Sequence, residues 1–571
     1  MDQDAQLPAE SLERQLSRDR LAGSGTDVRE AHPHALLFSS HNGARYLFDS
    51  ATCTIHPWPW DVASGDLDGL YDTPDERLPS YLKRIGAPAE LGRYVSLWRS
   101  KAGAFGRPLS HTHGRGCELH QSKREEFAGD GCDPVGLESK LGVGDERCRS
   151  GRLKEPPPTI YAVPSMLANL LLIVTDACNL RCRYCLLGGG YEGFKPLRAK
   201  HMTWDTAKRA VDHFIALNDS PAAQAMHDRK INVAFFGGEP LLRGNLIRQV
   251  VLYAKSLEKP GCGYWIDFAL TTNLNHLPDE LAAFLAEHDV GLQISIDGPM
   301  DVHDRYRVNA AGRGSFSKMR RNLKKLRDID PEYFQRRVSS VVTINGNSDL
   351  KAINDFFESG DPLIPPVSFM GAIRDINQSE FHRIHPYDAA RFWGQYTELM
   401  NEYLRRRRNG IPVVKGQFLY QFFEAPLRVL NNRIIHYGTA TRSSYTGTCQ
   451  PGRRLAVSTD GKFQVCERIN EQFPIGDVET GVDFEKCRDL YVRYYASLPD
   501  CDECWARPVC GTCMAANCRN DAFSFGVRCD QIRNELAHRL QLFCTVLEHD
   551  QDALSSNDPL VDSMHYLEAL P

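Results

Sequence analysis

The sequence predicts an α/β fold built around a parallel sheet, with a small α+β element before it and a cysteine-rich region after it. Between residues 169 and 347, short apolar runs alternate with helical patterns, as in parallel strands joined by crossover helices. A hairpin signal precedes this region. Cysteines concentrate behind it, since seven of the 18 lie between Cys487 and Cys529.

Composition narrows the class of protein. The chain has 571 residues, 42% of them apolar and 25% charged, which is typical of roughly two to four globular domains. A net charge of −5 gives no indication of a nucleic-acid partner. No apolar stretch has membrane-spanning length and the first residues lack a secretory signal, so we expect a cytoplasmic protein without a membrane partner. Cysteines in that compartment favour metal sites over disulfides.

The front of the chain predicts a small α+β element at residues 31–105, after a polar, disordered leader at residues 1–30. Asn42-Gly43, between two apolar runs, predicts a two-residue hairpin turn. Helical periodicity follows from about residue 76 to residue 100. The positions predicted to be buried there are Leu78, Leu82, Ile85, Leu91 and Leu97.

Residues 106–160 are Gly-rich and charged, and they predict an insertion or linker. A metal site is one interpretation of its His111, His113, Cys117 and His120. Their spacing fits no standard zinc pattern, which favours incidental side chains.

The parallel-sheet region is predicted to span residues 165–348. Its strands are predicted at 170–174, 231–236, 265–271, 291–296 and 338–344, with helices between them, for example at 206–217 and 317–327. Residues 349–445 predict bridging helices. The four arginines at 405–408 favour a solvated helix face over a ligand contact.

Three cysteines follow the first of these strands, at the spacing Cys178-x3-Cys182-x2-Cys185. Thiolates are soft ligands that suit iron–sulfur clusters. Three of them can hold three irons of a [4Fe–4S] cluster and leave the fourth iron open. The alternative, a zinc loop, requires a fourth nearby Cys or His, and none follows here.

With Tyr184 before the last cysteine, this motif resembles the signature of the radical S-adenosylmethionine (radical SAM) enzymes. The resemblance implies a partial (β/α)6 barrel in which SAM binds the open iron. Reductive cleavage of SAM would then give a 5′-deoxyadenosyl radical that takes a hydrogen atom from substrate.

Further residues at predicted strand ends match the same family. The resemblance implies that Gly237-Gly238-Glu239-Pro240 borders the amino group of SAM, and that Ser295 with Arg305 or Arg307 contacts its ribose or carboxylate. The remaining candidate contacts are Tyr184, Asn273 and Asp297. The alternatives are an ordinary strand-ending turn and, for the arginines, a surface ion pair with Asp301 or Asp304.

The region 446–535 begins with a predicted hairpin at 455–466, turning at Asp460-Gly461 and ending in Cys466. The hairpin and the cysteines behind it resemble the SPASM domain, which carries two auxiliary [4Fe–4S] clusters and brings the expected total to three. By resemblance, the distal cluster takes Cys501, Cys504, Cys510 and Cys529. The proximal cluster takes Cys449, Cys466 and either or both of Cys513 and Cys518.

Several alternatives stay open in this region. The Cys-x2-Cys pairs alone would also permit zinc knuckles. Cys487 matches no ligand position. Glu467 is a candidate base by resemblance, and its alternative role is an ion pair with Arg468 or Arg454. Residues 536–571 predict a C-terminal helix and tail.

Together these features predict an enzyme that modifies a ribosomally made precursor peptide, whose leader would add a strand to the N-terminal sheet. The predicted product is a thioether from cysteine sulfur to carbon, with a carbon–carbon cyclophane link second. The predicted electron donor is a flavodoxin- or ferredoxin-type protein. The rivals are a sulfatase-type formylglycine maturase, which would not need residues 35–100, and a non-catalytic iron–sulfur electron carrier or peptide-binding protein.

Overall fold

The computed structural model describes residues 28–32, 35–49, 54–57, 73, 76–85, 87, 168–186, 197–219, 229–259, 262–372, 380–432, 454–469, 472–498, 501, 504–512, 514–519, 522–523 and 528–554. The predicted insertion at 106–160 lies outside these residues, as do Leu91, Leu97, Cys449 and Cys513.

An antiparallel N-terminal sheet contains β1 (Val28–His32), β2 (Ala35–Ser39), β3 (Arg45–Asp49) and β4 (Thr54–Pro57), in that order. The predicted hairpin is confirmed as β2 with β3, but its turn is longer than predicted. Ser40 N donates to Ala44 O at 2.8 Å, so three residues close the turn, with Gly43 at φ +88°. Asn42 instead uses its side-chain amide to bind Glu548 Oε2 at 2.7 Å. Strand β1 begins inside the segment predicted to be disordered.

A short helix, α1 (Leu78–Arg84), follows the N-terminal sheet along the chain. Its Leu78 and Leu82 are buried, as predicted.

The central sheet comprises β5 (Asn169–Thr175), β6 (Arg229–Gly237), β7 (Tyr264–Thr272), β8 (Gly291–Ser295), β9 (Val338–Ile344), β10 (Val367–Ala372), β11 (Arg454–Val457) and β12 (Phe463–Gln464). Their order is β10-β9-β8-β7-β6-β5-β11-β12. All neighbours from β10 to β11 are parallel, and β12 is antiparallel. Six strands that are consecutive in the chain, β5 to β10, therefore form the expected partial α/β barrel.

Strand β10 contradicts the prediction that residues 349–445 are only helical. Its sequence was missed because Ser368 and Gly371 interrupt the apolar run, so neither helical nor strand periodicity stands out. Pairing with β9 stabilises it, and Ser340 N donates to Pro366 O at 2.7 Å just before the strand.

The helices that connect and cover the barrel strands are α2 (Trp204–Asn218), α3 (Gly244–Leu257), α4 (Asp279–Glu287), α5 (Met300–Tyr306), α6 (Phe316–Ile329), α7 (Pro331–Arg337) and α8 (Leu350–Phe357). The later helices are α9 (Glu380–Ile384), α10 (Ala389–Arg408), α11 (Ala425–Asn431), α12 (Phe484–Ser497), α13 (Met514–Asn517) and α14 (Arg528–His549). The predicted helices at 206–217 and 317–327 are confirmed.

The arginines that end α10 are more constrained than a solvated face. Arg405 Nε lies 2.7 Å from Glu402, Arg406 Nη1 lies 2.8 Å from Glu358, and Arg407 pairs with the buried Glu424. The pairs of Arg406 and Arg407 join α10 to its neighbours, whereas Arg405 pairs within α10, so the middle of the run is part of the packing and its two ends are exposed.

The residues that the structure describes form two apolar cores. One lies between the barrel strands and their helices and includes Leu170, Leu172 and Val174 of β5. The other joins the N-terminal sheet to α10, α11 and α14 and includes Phe48 and Trp505. Among the described residues, no helix is both long and apolar enough to span a membrane.

Candidate active site

The loop after β5 carries the three predicted cluster ligands, Cys178, Cys182 and Cys185. Its backbone is held by the segment that ends α5. Arg181 N donates to Val308 O at 2.6 Å, and Arg183 N donates to Tyr306 O at 3.0 Å. The loop is thus fixed at the carboxyl edge of the sheet, where folds of this class carry their sites.

The thiols of this loop are close neighbours. Burial raises the pKa of Cys178 to about 11 and that of Cys182 to about 12, and the nearby thiol of Cys185 adds to both. They therefore stay protonated until a cation offsets the burial. Within the described residues, no three His, Cys, Asp or Glu side chains are arranged to hold a metal ion. Three sulfur donors from one loop fit an iron–sulfur cluster by their chemistry.

The turn after β6 passes directly beside the cluster loop. Gly238 N donates to Thr175 O at 2.8 Å, and Glu239 N donates to Ala177 O at 2.9 Å. A Cβ on Gly237 would lie 2.2 Å from Thr175 O, and one on Gly238 would lie 2.2 Å from Ala177 O. Backbone packs on backbone here, so only glycine fits at both positions.

Glu239 joins two strand ends beside this loop. Its Oε1 accepts from Thr272 Oγ1 at 2.6 Å and from Leu241 N at 3.0 Å, and its Oε2 accepts from Asn273 N at 2.9 Å. Burial raises the pKa of Glu239 to about 7 despite these bonds. The carboxyl group therefore holds the ends of β6 and β7 together.

Two more candidate residues lie at the next strand ends. Asn273 Nδ2 donates to Asn179 Oδ1 at 2.8 Å and lies 3.7 Å from Cys178 Sγ. Asn273 therefore contacts the cluster loop itself. Ser295 is half-buried at the end of β8.

Asp297 is the centre of a buried network just after β8. Arg307 Nε and Nη2 donate to its two oxygens at 2.8 and 3.1 Å, and Tyr184 OH donates to Oδ2 at 2.5 Å. Thr343 N donates to Oδ1 at 3.0 Å. Burial alone would raise the pKa of Asp297, but the Arg307 guanidinium lowers it below its usual value. An ionised carboxylate thus ties the cluster loop, through Tyr184, to β8 and β9.

The structure distinguishes the two arginines that the sequence left as alternatives. Arg305 is exposed, whereas Arg307 is 7% exposed and pairs with Asp297. The surface ion pair considered for Arg307 is therefore wrong. Its guanidinium carbon also lies 5.4 Å from the ring centroid of Tyr184.

Aromatic side chains next to the cluster loop were missed by sequence reasoning. The ring of Phe381, on α9, lies 6.2 Å from that of Tyr184 and 5.4 Å from that of Tyr306. His385 lies 4.8 Å from Phe381. The spacing of four residues between Phe381 and His385 was the available signal, but α9 is too short for a periodic pattern.

The four cysteines predicted for the distal auxiliary cluster lie near one another. Burial raises the pKa of Cys510 to about 12, and the neighbouring thiols of Cys504, Cys501 and Cys529 raise it further. Three come from one loop, and Cys529 comes from the start of α14. The thiols of Cys501, Cys504 and Cys529 are near enough to Cys510 to raise its pKa, and sulfur donors suit an iron–sulfur cluster, although no three of these described side chains are arranged here to hold a metal ion.

Two of the cysteines predicted to bind the proximal auxiliary cluster, Cys466 and Cys518, are among the described residues. The hairpin β11–β12 confirms the predicted turn, with Gly461 at φ +76°. Cys466 lies after β12 and is half-buried, and Cys518 is 1% exposed in the barrel core. Burial raises the pKa of Cys487 to about 11.

Glu467 lies between two guanidinium groups. Its Oε2 is 3.3 Å from Arg454 Nη1, and its Oε1 is 3.6 Å from Arg468 Nε. Burial alone would raise the pKa of Glu467, but Arg454 and Arg468 lower it. The ion-pair alternative is confirmed, and the carboxylate also accepts from Cys466 Sγ at 3.4 Å.

Residues 172–349 match the family model of the Radical SAM superfamily. This span contains the three-cysteine loop and the Asp297 network. The chain therefore carries a Radical SAM domain. Its domain implies a [4Fe–4S] cluster and SAM, and the soft-donor loop fits that cluster.

Relatives of this chain include enzymes whose names give different activities. The cysteine-type anaerobic sulfatase-maturating enzyme of Clostridium novyi (strain NT) is 26% identical over 318 residues, which cover 55% of this chain and 77% of that protein. The radical SAM cyclopropyl synthase TigE of Paramaledivibacter caminithermalis is 23% identical over 360 residues, covering 60% of this chain and 67% of TigE.

A solved structure has the same fold. Hexahistidine-tagged anSMEcpe with bound AdoMet superposes with a TM-score of 0.50 at 17% identity, covering 70% of this chain and 98% of that one. The likeness confirms the α/β fold with its mostly parallel sheet.

Proposed function

We propose that this radical SAM enzyme modifies a ribosomally made precursor peptide by joining a cysteine sulfur to a carbon atom. A carbon–carbon link is the second product considered. The observation that carries the proposal is that Cys501, Cys504 and Cys510 follow one another in a short segment and Cys529 lies at the start of α14, in a chain that already has a cluster loop. A second cluster is useful where a substrate radical must lose an electron.

The proposed reaction takes in one electron and releases one. Cys178, Cys182 and Cys185 would hold a cluster that donates one electron to bound SAM, and the 5′-deoxyadenosyl radical from SAM would take a hydrogen atom from a substrate carbon. Bonding of that carbon to the thiol sulfur releases a proton and an electron. Glu467, the carboxylate that follows Cys466 in the chain, would accept the proton. Auxiliary clusters held by the C-terminal cysteines would accept the released electron, and a flavodoxin- or ferredoxin-type protein would supply the first electron.

The proposal requires three clusters. Cys178, Cys182 and Cys185 would hold the SAM-binding one, and the Cys510 group would hold the distal one. The proximal cluster would take Cys449, Cys466 and either or both of Cys513 and Cys518.

The N-terminal sheet would hold the peptide. Strands β1 and β4 are its edges, and an edge strand offers backbone groups to which an extended peptide adds. The small sheet lies in the region predicted as the peptide-recognition element, residues 31–105.

A second candidate is formylglycine formation in a sulfatase, which the relationship to the Clostridium novyi enzyme favours. Deleting residues 35–100 would not separate the candidates, because Leu36, Phe38 and Phe48 lie in one core with α14. The product separates them. A thioether lacks two hydrogen atoms and keeps its sulfur, whereas formylglycine made from cysteine has lost its sulfur.

The test is anaerobic reconstitution of the full chain. Three clusters predict about 12 iron atoms per chain and SAM cleavage on reduction. A Cys178→Ala, Cys182→Ala, Cys185→Ala variant should keep about 8 iron atoms and cleave no SAM. Zinc in place of iron, or a cluster whose spectrum SAM leaves unchanged, would overturn the proposal. Mass spectrometry of candidate peptides encoded beside the gene then identifies the bond.

A further inference from the structure

We infer that the N-terminal sheet braces the distal auxiliary cluster, with Phe48 as the positioning residue. The inference rests on the proposed function, because it takes Cys501, Cys504, Cys510 and Cys529 as the ligands of that cluster. It assigns the sheet a second role besides peptide binding.

The first contact is between two aromatic rings. Phe48, on β3, is 0% exposed, and its ring centroid lies 6.1 Å from that of Trp505 in an edge-to-face arrangement. Trp505 is 2% exposed and directly follows the ligand Cys504. Cys504 also packs against the same apolar core. Phe48 therefore fixes the loop within one residue of a proposed ligand.

The same face of the sheet supplies the rest of this surface. Side chains alternate between the faces of a strand, so Leu36 and Phe38 of β2 share a face with Phe48 of β3. All three belong to the core that includes Trp505, and Ala506 beside it is 1% exposed. The ligand loop is thus covered by apolar side chains of the N-terminal sheet.

The second contact reaches the other ligand-bearing element. Helix α14 carries Cys529 near its start, and the hairpin turn of the sheet binds the later part of this helix. His41 N donates to Thr545 Oγ1 at 2.9 Å, and Tyr46 OH donates to Glu548 Oε1 at 2.7 Å. The sheet therefore spans both pieces of chain that supply thiols to the distal site.

This arrangement has a consequence for the cluster. The potential of an iron–sulfur centre depends on its exposure to solvent, and the surrounding apolar residues control that exposure. Water favours the more highly charged form, which for a cluster with four thiolates is the reduced one. Removing Phe48 should therefore raise the reduction potential of the distal cluster and speed its loss.

The test compares Phe48→Ala with Phe38→Ala in the reconstituted full chain. Phe38 is equally buried on the same face, but its ring stacks on Tyr46 at 5.8 Å. We expect Phe48→Ala to lose distal-cluster iron to a chelator about tenfold faster than Phe38→Ala, with a positive shift in the potential of that cluster alone. Phe48→Leu should lose this iron at a rate between those of Phe48→Ala and the parent, and the spectrum of the SAM-binding cluster should not change.

Equal effects of the two alanine variants, or an unchanged distal potential in Phe48→Ala, would overturn the inference. If Phe48→Ala does not fold, Phe48→Leu against Phe38→Leu gives the same comparison with smaller shifts. If the parent chain forms no distal cluster, the proposed function fails. The positioning of the Cys504 loop by Phe48 can then still be tested in the metal-free chain. In the metal-free chain, alkylation of Cys504 should be faster in Phe48→Leu than in Phe38→Leu. Equal rates would refute the role of Phe48 in positioning this loop.

Discussion

Replacing Asp297 with asparagine should destabilise the barrel through the arginine that it leaves behind. Asp297 and Arg307 are 3% and 7% exposed, so the guanidinium would lose its counter-charge in a place that water does not reach. Breaking a buried ion pair from one side costs about 3–5 kcal/mol. Asparagine keeps one oxygen that can accept from Arg307 or Tyr184, so we expect a loss near the lower limit, about 3 kcal/mol.

The assay is urea unfolding of the metal-free full chain at pH 7. Removing both partners, as in Asp297→Asn with Arg307→Met, should recover part of the loss because no charge is then stranded. Arg305→Met is the matched control, since that arginine is exposed, and it should change the free energy of unfolding by less than about 0.5 kcal/mol.

The pH dependence gives an independent check. The pKa of Asp297 is lowered in the folded chain, so its stabilisation is full above the unfolded pKa and is lost as the pH falls through the folded pKa. The parent should lose this contribution in acid, and Asp297→Asn should not. A loss below about 1 kcal/mol in Asp297→Asn, or a double variant that is no better than the single one, would refute the reasoning.

Three further predictions concern neighbouring groups. Gly238→Ala should disorder the turn beside the cluster loop, because the added Cβ would lie 2.2 Å from Ala177 O. Limited proteolysis should then cut this loop faster than in the parent, and a cleavage pattern like that of the parent would contradict the prediction. The folded pKa of Glu239, about 7, lies above its ordinary value of 4.5, so the chain should lose roughly 3 kcal/mol of stability as the pH rises from 4.5 to 7. Glu239→Gln should flatten that slope in urea titrations at several pH values, and an unchanged slope would contradict the assignment. Glu467→Gln should slow cross-linking more than SAM cleavage if Glu467 takes the substrate proton, with Arg454→Lys as the charge-retaining control; an equal loss of both activities would count against that role.

The sequence alone determined the features that depend on short spacings along the chain. Three cysteines within eight residues must share one loop, and their spacing identified the cluster class before any fold was known. Apolar runs of strand length predicted five barrel strands, since each buries at least one face in the core. Asp460-Gly461 predicted a turn because glycine adopts positive φ at little cost.

Only the tertiary structure decided how distant segments meet. Tyr184 and Asp297 are 113 residues apart, and their hydrogen bond exists because two strand ends reach the same edge of the sheet. The burial of Phe48 on Trp505 likewise depends on packing between segments that no local pattern relates. Strand β10 belongs with these, because a short run with Ser368 and Gly371 becomes a strand through its pairing with β9. Spacing reveals which residues can act together within a loop, whereas contacts between separate elements follow from the packing of the whole core.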